Sequence, residues 1–178
     1  VLGKTRDDAS GEAFDKVAKL LNLGYPGGPH IEKLAADAPS GKKIKFPEAV
    51  MKDGSLDFSF SGLKTAVLNF LNENKNVDYG NLCAGFQDAV ISALLNKTLL
   101  VAEKLKIKNV VLGGGVVVNK TLKEKFVKEG EKKGIAVHYP SPSFCTDNGV
   151  MIALVGYYKY LRKQFSDFSL NAVPSLNI

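Results

Sequence analysis

The chain has 178 residues, of which 45% are hydrophobic and 24% are charged. This composition excludes a wholly disordered chain, and the length is enough to bury a core without disulfides or metals. Lys and Arg outnumber Asp and Glu by 24 to 18, a net charge of +6, which permits a nucleic-acid partner but also describes a lysine-rich solvated surface. Two cysteines are too few for a disulfide framework, so we expect a reduced, cytoplasmic setting. Because no apolar run approaches the roughly 20 residues that span a bilayer, we expect no membrane partner.

Apolar residues that recur every three or four positions predict six helices. They cover residues 9–23, 29–36, 63–71, 79–105, the segment from Asn119 to about 133, and 147–165. Asp8 is the predicted N-cap of the first helix, and Ser61 is the predicted N-cap of the third.

Apolar stretches, some of them alternating with polar residues, predict four strands between these helices. They lie at residues 40–47, 56–60, 109–112 and 135–139. From residue 79 onward the order is helix, strand, helix, strand, helix, which is typical of an α/β fold. Ligands of such folds bind beyond the carboxyl ends of the strands, so the loop after Leu112 is the first candidate site.

That loop begins with three consecutive glycines, and Gly114 and Gly115 are candidate ligand contacts. Glycine lets backbone N–H groups approach a phosphate closely, and a helix N-terminus attracts anions. The segment nearly matches the phosphate-binding pattern G-x-x-x-x-G-K-T, but Asn119 replaces its second glycine and three valines precede it, so we do not adopt that interpretation. Asn119 either contacts a ligand or caps the next helix, and the two roles are compatible.

Two carboxylates and a glycine pair extend the candidate site. Asp15 could accept hydrogen bonds from the two hydroxyls of a ribose, although a solvated helical aspartate is the alternative. Gly27 and Gly28 lie between two prolines and offer a surface without side chains to a flat ligand, or simply connect two helices. Glu32, one turn after Gly28, could reach the same ligand.

Asp147 lies where a loop enters the last helix. It is either the N-cap of that helix or a metal ligand. A catalytic metal usually needs about three protein ligands, and the sequence has no paired-histidine motif beside this aspartate.

Together, five segments resemble the TsaD family in its bacterial form, and they occur in the order that this family has them. The segments are DDASGEAFDK (7–16), GYPGGP (24–29), FSFSGLKTA (58–66), GGGVVVN (113–119) and CTDNG (145–149). The family makes threonylcarbamoyladenosine in tRNA and was long labelled a glycoprotease.

The resemblance implies an actin-like ATPase fold of two lobes that flank a nucleotide cleft. Residues 1–145 would form most of the second lobe with a helical insertion, and residues 146–178 a final helix and tail that return toward the first lobe. The chain would then be the C-terminal part of a longer protein. The family's nucleotide-binding positions correspond to Asp15, Gly28, Glu32 and Asn119, and its metal-binding aspartate to Asp147.

The implied reaction transfers a threonylcarbamoyl group from threonylcarbamoyl-AMP to N6 of the adenosine beside the anticodon, in tRNAs reading codons that start with A. The resemblance further implies a bound ATP or AMP-type nucleotide, one divalent metal (iron or zinc) whose other ligands precede residue 1, and two partners, a related actin-like subunit and a small ATPase. We expect no residue of this chain to act as a covalent nucleophile. A metallopeptidase and a non-catalytic scaffold subunit are the alternatives.

Overall fold

The computed structural model describes residues 1–38, 44–49, 51 and 53–173. Within these ranges the chain forms six α-helices, two short 3-10 helices and two strands. In chain order the elements are α1 (Ser10–Leu20), α2 (Gly27–Ala36), α3 (Ser61–Glu73), α4 (Tyr79–Lys104), β1 (Asn109–Val111), a 3-10 helix (Gly115–Val118), α5 (Lys120–Lys132), β2 (Ala136–His138), a 3-10 helix (Pro142–Phe144) and α6 (Gly149–Leu161). All six predicted helices are therefore confirmed, with ends that differ by a few residues.

The two strands form a parallel pair, with Val110 opposite Val137. Parallel neighbours need a crossover connection, and α5 provides it in the segment between them. This β–α–β unit confirms the α/β class. It also places the carboxyl end of β1 directly before the glycine loop, where the sequence predicts a ligand.

Helix α4 holds the molecule together because both clusters of buried side chains include residues from it. Its first half packs against α1, α2 and α3, where Phe86 meets Phe14 edge to face with ring centroids 5.2 Å apart. Its second half packs against α5 and the strands, where Leu95 and Leu99 meet Phe126. A helix buried on most sides is apolar nearly all round, as the α4 sequence is.

Two of the four predicted strands are not found among the described residues. Residues 56–60 form no strand, and Phe58 makes only an isolated bridge to Thr5. Of the predicted strand 40–47, residues 40–43 lie outside the described residues, and 44–47 have no regular structure. Phe60 is buried, whereas Asp57, Phe58 and Ser59 are all half-buried, so the alternating sequence does not correspond to one buried face.

Two predicted N-caps are also wrong. Ala9 is the N-cap residue of α1, without a side-chain cap, and Asp8 instead pairs with Lys16 at 2.6 Å. Ser61 is the first residue of α3, and its hydroxyl donates to Asp7 rather than accepting from the helix. In both cases a charged or polar partner elsewhere in the fold competes successfully for the side chain.

Helix α6 buries none of its side chains, although most of them are apolar. Its exposed large apolar residues are Val150, Met151, Ile152, Leu154, Val155, Tyr157, Tyr158, Tyr160 and Leu161. An exposed apolar patch of this extent is typical of surfaces that pack against another body. None of the described helices combines the length and the apolar character needed to cross a membrane.

Candidate functional site

A hollow of about 560 Å³ lies between the start of α1, the start of α2 and the glycine loop after β1. Six residues singled out in the sequence line it: Asp15, Gly28, Glu32, Gly114, Gly115 and Asn119. They come from three segments, namely α1, α2 and the loop between β1 and α5. The structure thus brings the predicted nucleotide-binding positions together around one space.

The two carboxylates of the hollow each use one oxygen to hold the backbone. Asp15 Oδ1 accepts a hydrogen bond from the Gly27 N–H at 2.7 Å. Glu32 Oε1 accepts one from the N–H of Lys120, the first residue of α5, at 2.6 Å. The second oxygen of each carboxylate accepts no hydrogen bond from a described residue, so both remain free to accept from a ligand hydroxyl.

The glycines of the hollow serve two different purposes. Gly27 allows α1 and α2 to approach, because a Cβ there would lie 2.6 Å from Ala18 Cβ and 2.7 Å from the Phe14 carbonyl oxygen. A Cβ on Gly28 would contact nothing within 4 Å and would extend into open space. Gly27 therefore serves packing, whereas Gly28 keeps the wall of the hollow free of a side chain.

The loop after β1 depends on glycine at one position in particular. Gly114 has φ +91°, a conformation that residues with a Cβ rarely adopt. A Cβ at Gly113 or Gly114 would meet no atom within 4 Å, and one at Gly115 only a methyl of Thr146 at 3.9 Å. The backbone of this loop is consequently open to close approach by a ligand.

Asn119 stands where the loop becomes α5, and only 7% of its surface is exposed. Its Oδ1 accepts from the Leu122 N–H at 2.9 Å, which confirms the predicted N-cap of α5. Its Nδ2 donates to Gln87 Oε1 at 2.7 Å. The same side chain also lines the hollow, so capping and ligand contact are compatible at this residue.

Asp147 lies beside the hollow rather than on its wall. Its neighbour Thr146 lines the space, and Asp147 itself is exposed. The alternative of an N-cap is wrong, because Asn148 is the N-cap residue and accepts from the Met151 N–H at 3.1 Å. The Asp147 carboxylate makes no hydrogen bond or ion pair within the part of the chain that the structure describes.

The described residues contain no group of three His, Cys, Asp or Glu side chains that could together hold a metal ion. An exposed carboxylate without a protein partner is chemically suited to be one ligand of a divalent cation. Asp147 thus fits the metal-ligand prediction as one contributor, and further ligands would have to come from outside the described residues.

Sequence reasoning missed the roles of two residues: Gln87, which accepts a hydrogen bond from Asn119, and Asp7, which contacts the start of α3. Gln87 is a buried polar side chain inside the apolar run of α4, and that interruption was the available signal. Asp7 Oδ1 accepts from the Phe60 N–H at 2.8 Å, and Asp7 Oδ2 from the Ser61 hydroxyl at 2.7 Å. Burial raises the pKa of Asp7, but hydrogen bonds from Ser59, Ser61 and the backbone outweigh it and lower the pKa to about 2.

The chemistry of the hollow is that of a hydrogen-bonding rather than a cationic site. The described residues that line it include two carboxylates, one amide and the glycine backbone, together with the apolar Phe14 and Val116, and none of them is Lys or Arg. Carboxylates select hydroxyl and amine donors, and exposed backbone N–H groups select oxygen acceptors. The arrangement suits a neutral ring with hydroxyl groups attached to a group bearing oxygens.

Fold and site together define an α/β protein with a glycine-lined hollow at the carboxyl end of its first strand. A sequence model of the family "TsaD: tRNA N6-adenosine threonylcarbamoyltransferase" matches residues 1–154. The chain belongs to this family.

Curated relatives named tRNA N6-adenosine threonylcarbamoyltransferase align with the entire chain. The relative from Desulfitobacterium hafniense (strain Y51) is 50% identical over 182 positions, and one from Clostridium perfringens (strain 13 / Type A) is 47% identical. Each alignment covers 100% of this chain and 53% of the relative. The chain therefore spans about half the length of the curated relatives that it matches.

Solved structures with a similar fold include two of HypF. The HypF of T. kodakarensis matches with a TM-score of 0.64 at 20% identity, over 89% of this chain and 21% of that protein. A full-length HypF in its phosphate- and nucleotide-bound form matches with a TM-score of 0.63 at 19% identity, over 88% of this chain and 25% of that protein. At this level of identity the likeness concerns the fold alone.

Proposed function

We propose that the hollow binds the adenylate part of threonylcarbamoyl-AMP. We further propose that the chain belongs to an enzyme that transfers the threonylcarbamoyl group to N6 of the adenosine beside the tRNA anticodon. One observation carries the proposal: residues from α1, α2, the glycine loop and the start of α5 converge on one hollow. Membership of the TsaD family supplies the reaction, and the names of the relatives support tRNA as the acceptor.

Different residues of the hollow would bind different parts of the adenylate. The free oxygens of Asp15 and Glu32 would accept hydrogen bonds from the two ribose hydroxyls, as acidic residues do in other nucleotide sites. Gly28 would let the ring lie flat against the backbone of α2. The carbamoyl carbon is already activated by its AMP leaving group, so the site would need chiefly to orient the two substrates.

The rest of the cleft would come from the first lobe, in the manner of the actin-like ATPase fold. The exposed apolar face of α6 supports this arrangement, because burial against another body would remove that surface from water. The relatives are nearly twice the length of this chain and have enough further sequence to form such a lobe. Residues 1–145 would then form the second lobe with its helical insertion, and residues 146–178 would lead back to the first.

Asp147 would contribute one ligand to a divalent metal, iron or zinc. When bound, such a metal would supply Lewis-acid stabilisation of charge on the reacting group. The contribution of this chain would be to hold a carboxylate beside the hollow, exposed and free of competing partners. The net charge of +6 suits a tRNA partner in the cytoplasm, and a related actin-like subunit and a small ATPase would complete the assembly.

A titration of the isotope-labelled chain with AMP, followed by NMR, tests the binding site. We expect AMP at millimolar concentration to shift backbone signals at Gly28, Gly113–Gly115 and Asn119, with little change in α3. Shifts confined to other surfaces, or no shifts, would overturn the nucleotide assignment.

Gly28→Ala and Gly62→Ala form a matched pair for the same titration. Both glycines are the second residue of a helix, and a Cβ at either would meet no protein atom within 4 Å. Only the methyl at Gly28 would occupy the hollow, so we expect AMP binding to weaken about tenfold in Gly28→Ala and to stay unchanged in Gly62→Ala. Equal affinities in the two variants would contradict the proposed ligand position.

The transfer reaction can be tested with a chimera in which this chain replaces the matching half of the Desulfitobacterium hafniense relative. We expect the chimera to form threonylcarbamoyladenosine in tRNA, and Asp15→Asn to reduce the yield. A folded chimera that binds AMP but forms no product would refute the transferase assignment while leaving the nucleotide site intact.

A further inference from the structure

We propose that Gln87 is a positioning residue that fixes the orientation of the Asn119 amide at the edge of the hollow. No feature of the nucleotide-binding pattern includes Gln87, which lies in the middle of α4 and does not line the hollow. The inference rests on the proposed function for its ligand, but the hydrogen bonds that support it belong to the protein alone.

The hydrogen bonds of the Asn119 and Gln87 amides can be assigned in only one way, because each donor must meet an acceptor. The Leu122 N–H can only donate, so the atom of Asn119 that it meets at 2.9 Å must be Oδ1. Nδ2 of Asn119 therefore points the other way, where it lies 2.7 Å from Gln87. Because Nδ2 can only donate, the atom of Gln87 that receives it must be Oε1.

The hydrogen bond between Asn119 and Gln87 is shielded from water because both side chains are buried. Gln87 is 5% exposed and Asn119 is 7% exposed, so water cannot readily replace either partner. A buried polar group that loses its partner keeps the full cost of its desolvation.

The hydrogen bond also connects the two halves of the core. Asn119 begins α5, which packs with the second half of α4, whereas Gln87 lies next to Phe86, which packs with α1 beside Asp15. Gln87 thus positions the Asn119 amide relative to α1 and α2, the helices that carry the carboxylates of the hollow.

This arrangement determines what Asn119 can offer to a ligand. Its Oδ1 already caps α5 and one Nδ2 hydrogen is used by Gln87, so the second Nδ2 hydrogen is its remaining donor. A ligand that uses this donor should present an acceptor, such as a ribose oxygen or a ring nitrogen. Without Gln87 the Asn119 amide would be held only by its capping hydrogen bond from the Leu122 N–H, and the position of its Nδ2 donor would be less closely fixed.

The test compares Gln87→Met with Gln87→Glu in the full chain, with AMP as the probe. Met matches the length of Gln but has no strong acceptor, whereas Glu, which burial would keep neutral at this 5% exposed position, retains an acceptor oxygen at the same distance. We expect Gln87→Met to weaken AMP binding about tenfold, and Gln87→Glu to stay within about threefold of the unchanged protein. This rescue by the conservative variant is a result that loss of packing alone would not produce.

NMR of the unchanged protein provides a second measurement that does not depend on any variant folding. We expect the Asn119 side-chain amide protons to exchange slowly with deuterium and to show cross-relaxation with the Gln87 side chain. Rapid exchange without that cross-relaxation would overturn the inference.

Asn119→Ala separates the inference from the proposed function. If Asn119→Ala leaves AMP affinity unchanged, the proposed ligand site at Asn119 is wrong. If Asn119→Ala weakens binding but Gln87→Met does not, the site stands and the role of Gln87 is refuted. Equal loss in Gln87→Met and Gln87→Glu would also refute it, because the acceptor would then be irrelevant.

Discussion

Replacing Asp7 should loosen the start of α3, a helix that begins more than 50 residues later in the chain. Asp7 Oδ1 accepts from the N–H groups of Phe60 and Ser61 at 2.8 and 3.2 Å. Its Oδ2 accepts from the hydroxyls of Ser59 and Ser61 at 2.5 and 2.7 Å. Phe60, the N-cap residue of α3, has no capping side chain, so a distant carboxylate performs that role.

The expected change in the free energy of unfolding follows from the groups that would lose a hydrogen-bond partner. Loss of an N-cap costs about 1 kcal/mol, and loss of a negative charge at a helix N-terminus about 0.3–1 kcal/mol. Asp7 is exposed, so water would replace the hydroxyl contacts at little cost. We therefore expect Asp7→Ala to lower the free energy of unfolding by about 1–2 kcal/mol. Asp7→Asn, which keeps one acceptor oxygen, should lower it by roughly half as much.

The effect should depend on pH in a defined direction. The pKa of Asp7 falls from its usual 3.8 to about 2 in the folded chain, because the hydrogen bonds outweigh the opposing effect of burial. A lowered folded-state pKa means that the contribution of the charge is fully present above pH 4 and is lost as the pH falls toward 2. The difference between the unchanged protein and Asp7→Asn should shrink over the same interval.

Urea unfolding followed by circular dichroism at pH 7 and near pH 2.5 measures these differences. Asp167→Asn is the control, since Asp167 also accepts two hydrogen bonds from a serine, Ser169, but lies in the exposed tail. We expect the control to leave stability unchanged. If Asp7→Ala matches the control, or if the Asp7→Asn difference is independent of pH, the capping argument is wrong.

Two further predictions concern packing. Gly27→Ala should destabilise the chain by about 1–3 kcal/mol in urea unfolding, because a Cβ there would meet Ala18 Cβ at 2.6 Å; a neutral result would disprove the close contact between α1 and α2. Ile152→Glu should change the stability of this chain by less than about 0.5 kcal/mol, since Ile152 is 76% exposed. The equivalent change in the longer Desulfitobacterium hafniense relative should cost several kcal/mol if the first lobe covers α6, and an equally small effect there would argue against that arrangement.

Much of the local structure could be predicted because it depends on neighbours in the chain. The spacing of Ala13, Phe14 and Val17 predicts α1, since one face of a helix must be buried, and these three residues are in the core. Asn119 was recognisable as an N-cap because a cap needs only the next helical turn. The glycine loop could be identified as a candidate site because it follows a strand in an α/β order.

Other features depended on contacts between distant segments. Asp8 and Asp147 stand where N-caps are common, yet Asp8 pairs with Lys16 and Asn148 takes the place of Asp147. Local preference is worth about 1 kcal/mol, so one ion pair or a shift of one residue can reverse it. Likewise, 56–60 alternates like a strand, but no neighbouring strand is present to extend the bridge at Phe58 among the described residues.

By itself the sequence determined where the helices lie, which loop follows β1 and which residues could bind a ligand. Only the tertiary structure decided that Asp15, Gly28, Glu32 and Asn119 share one hollow. It also decided that Gln87 accepts a hydrogen bond from Asn119 and that Asp7 caps α3. The physical reason is the distance along the chain over which each signal acts. Periodicity and capping depend on burial and hydrogen bonds within a few residues. The partner of a buried amide or a distant helix end depends instead on how α1, α2, α4 and α5 pack against one another.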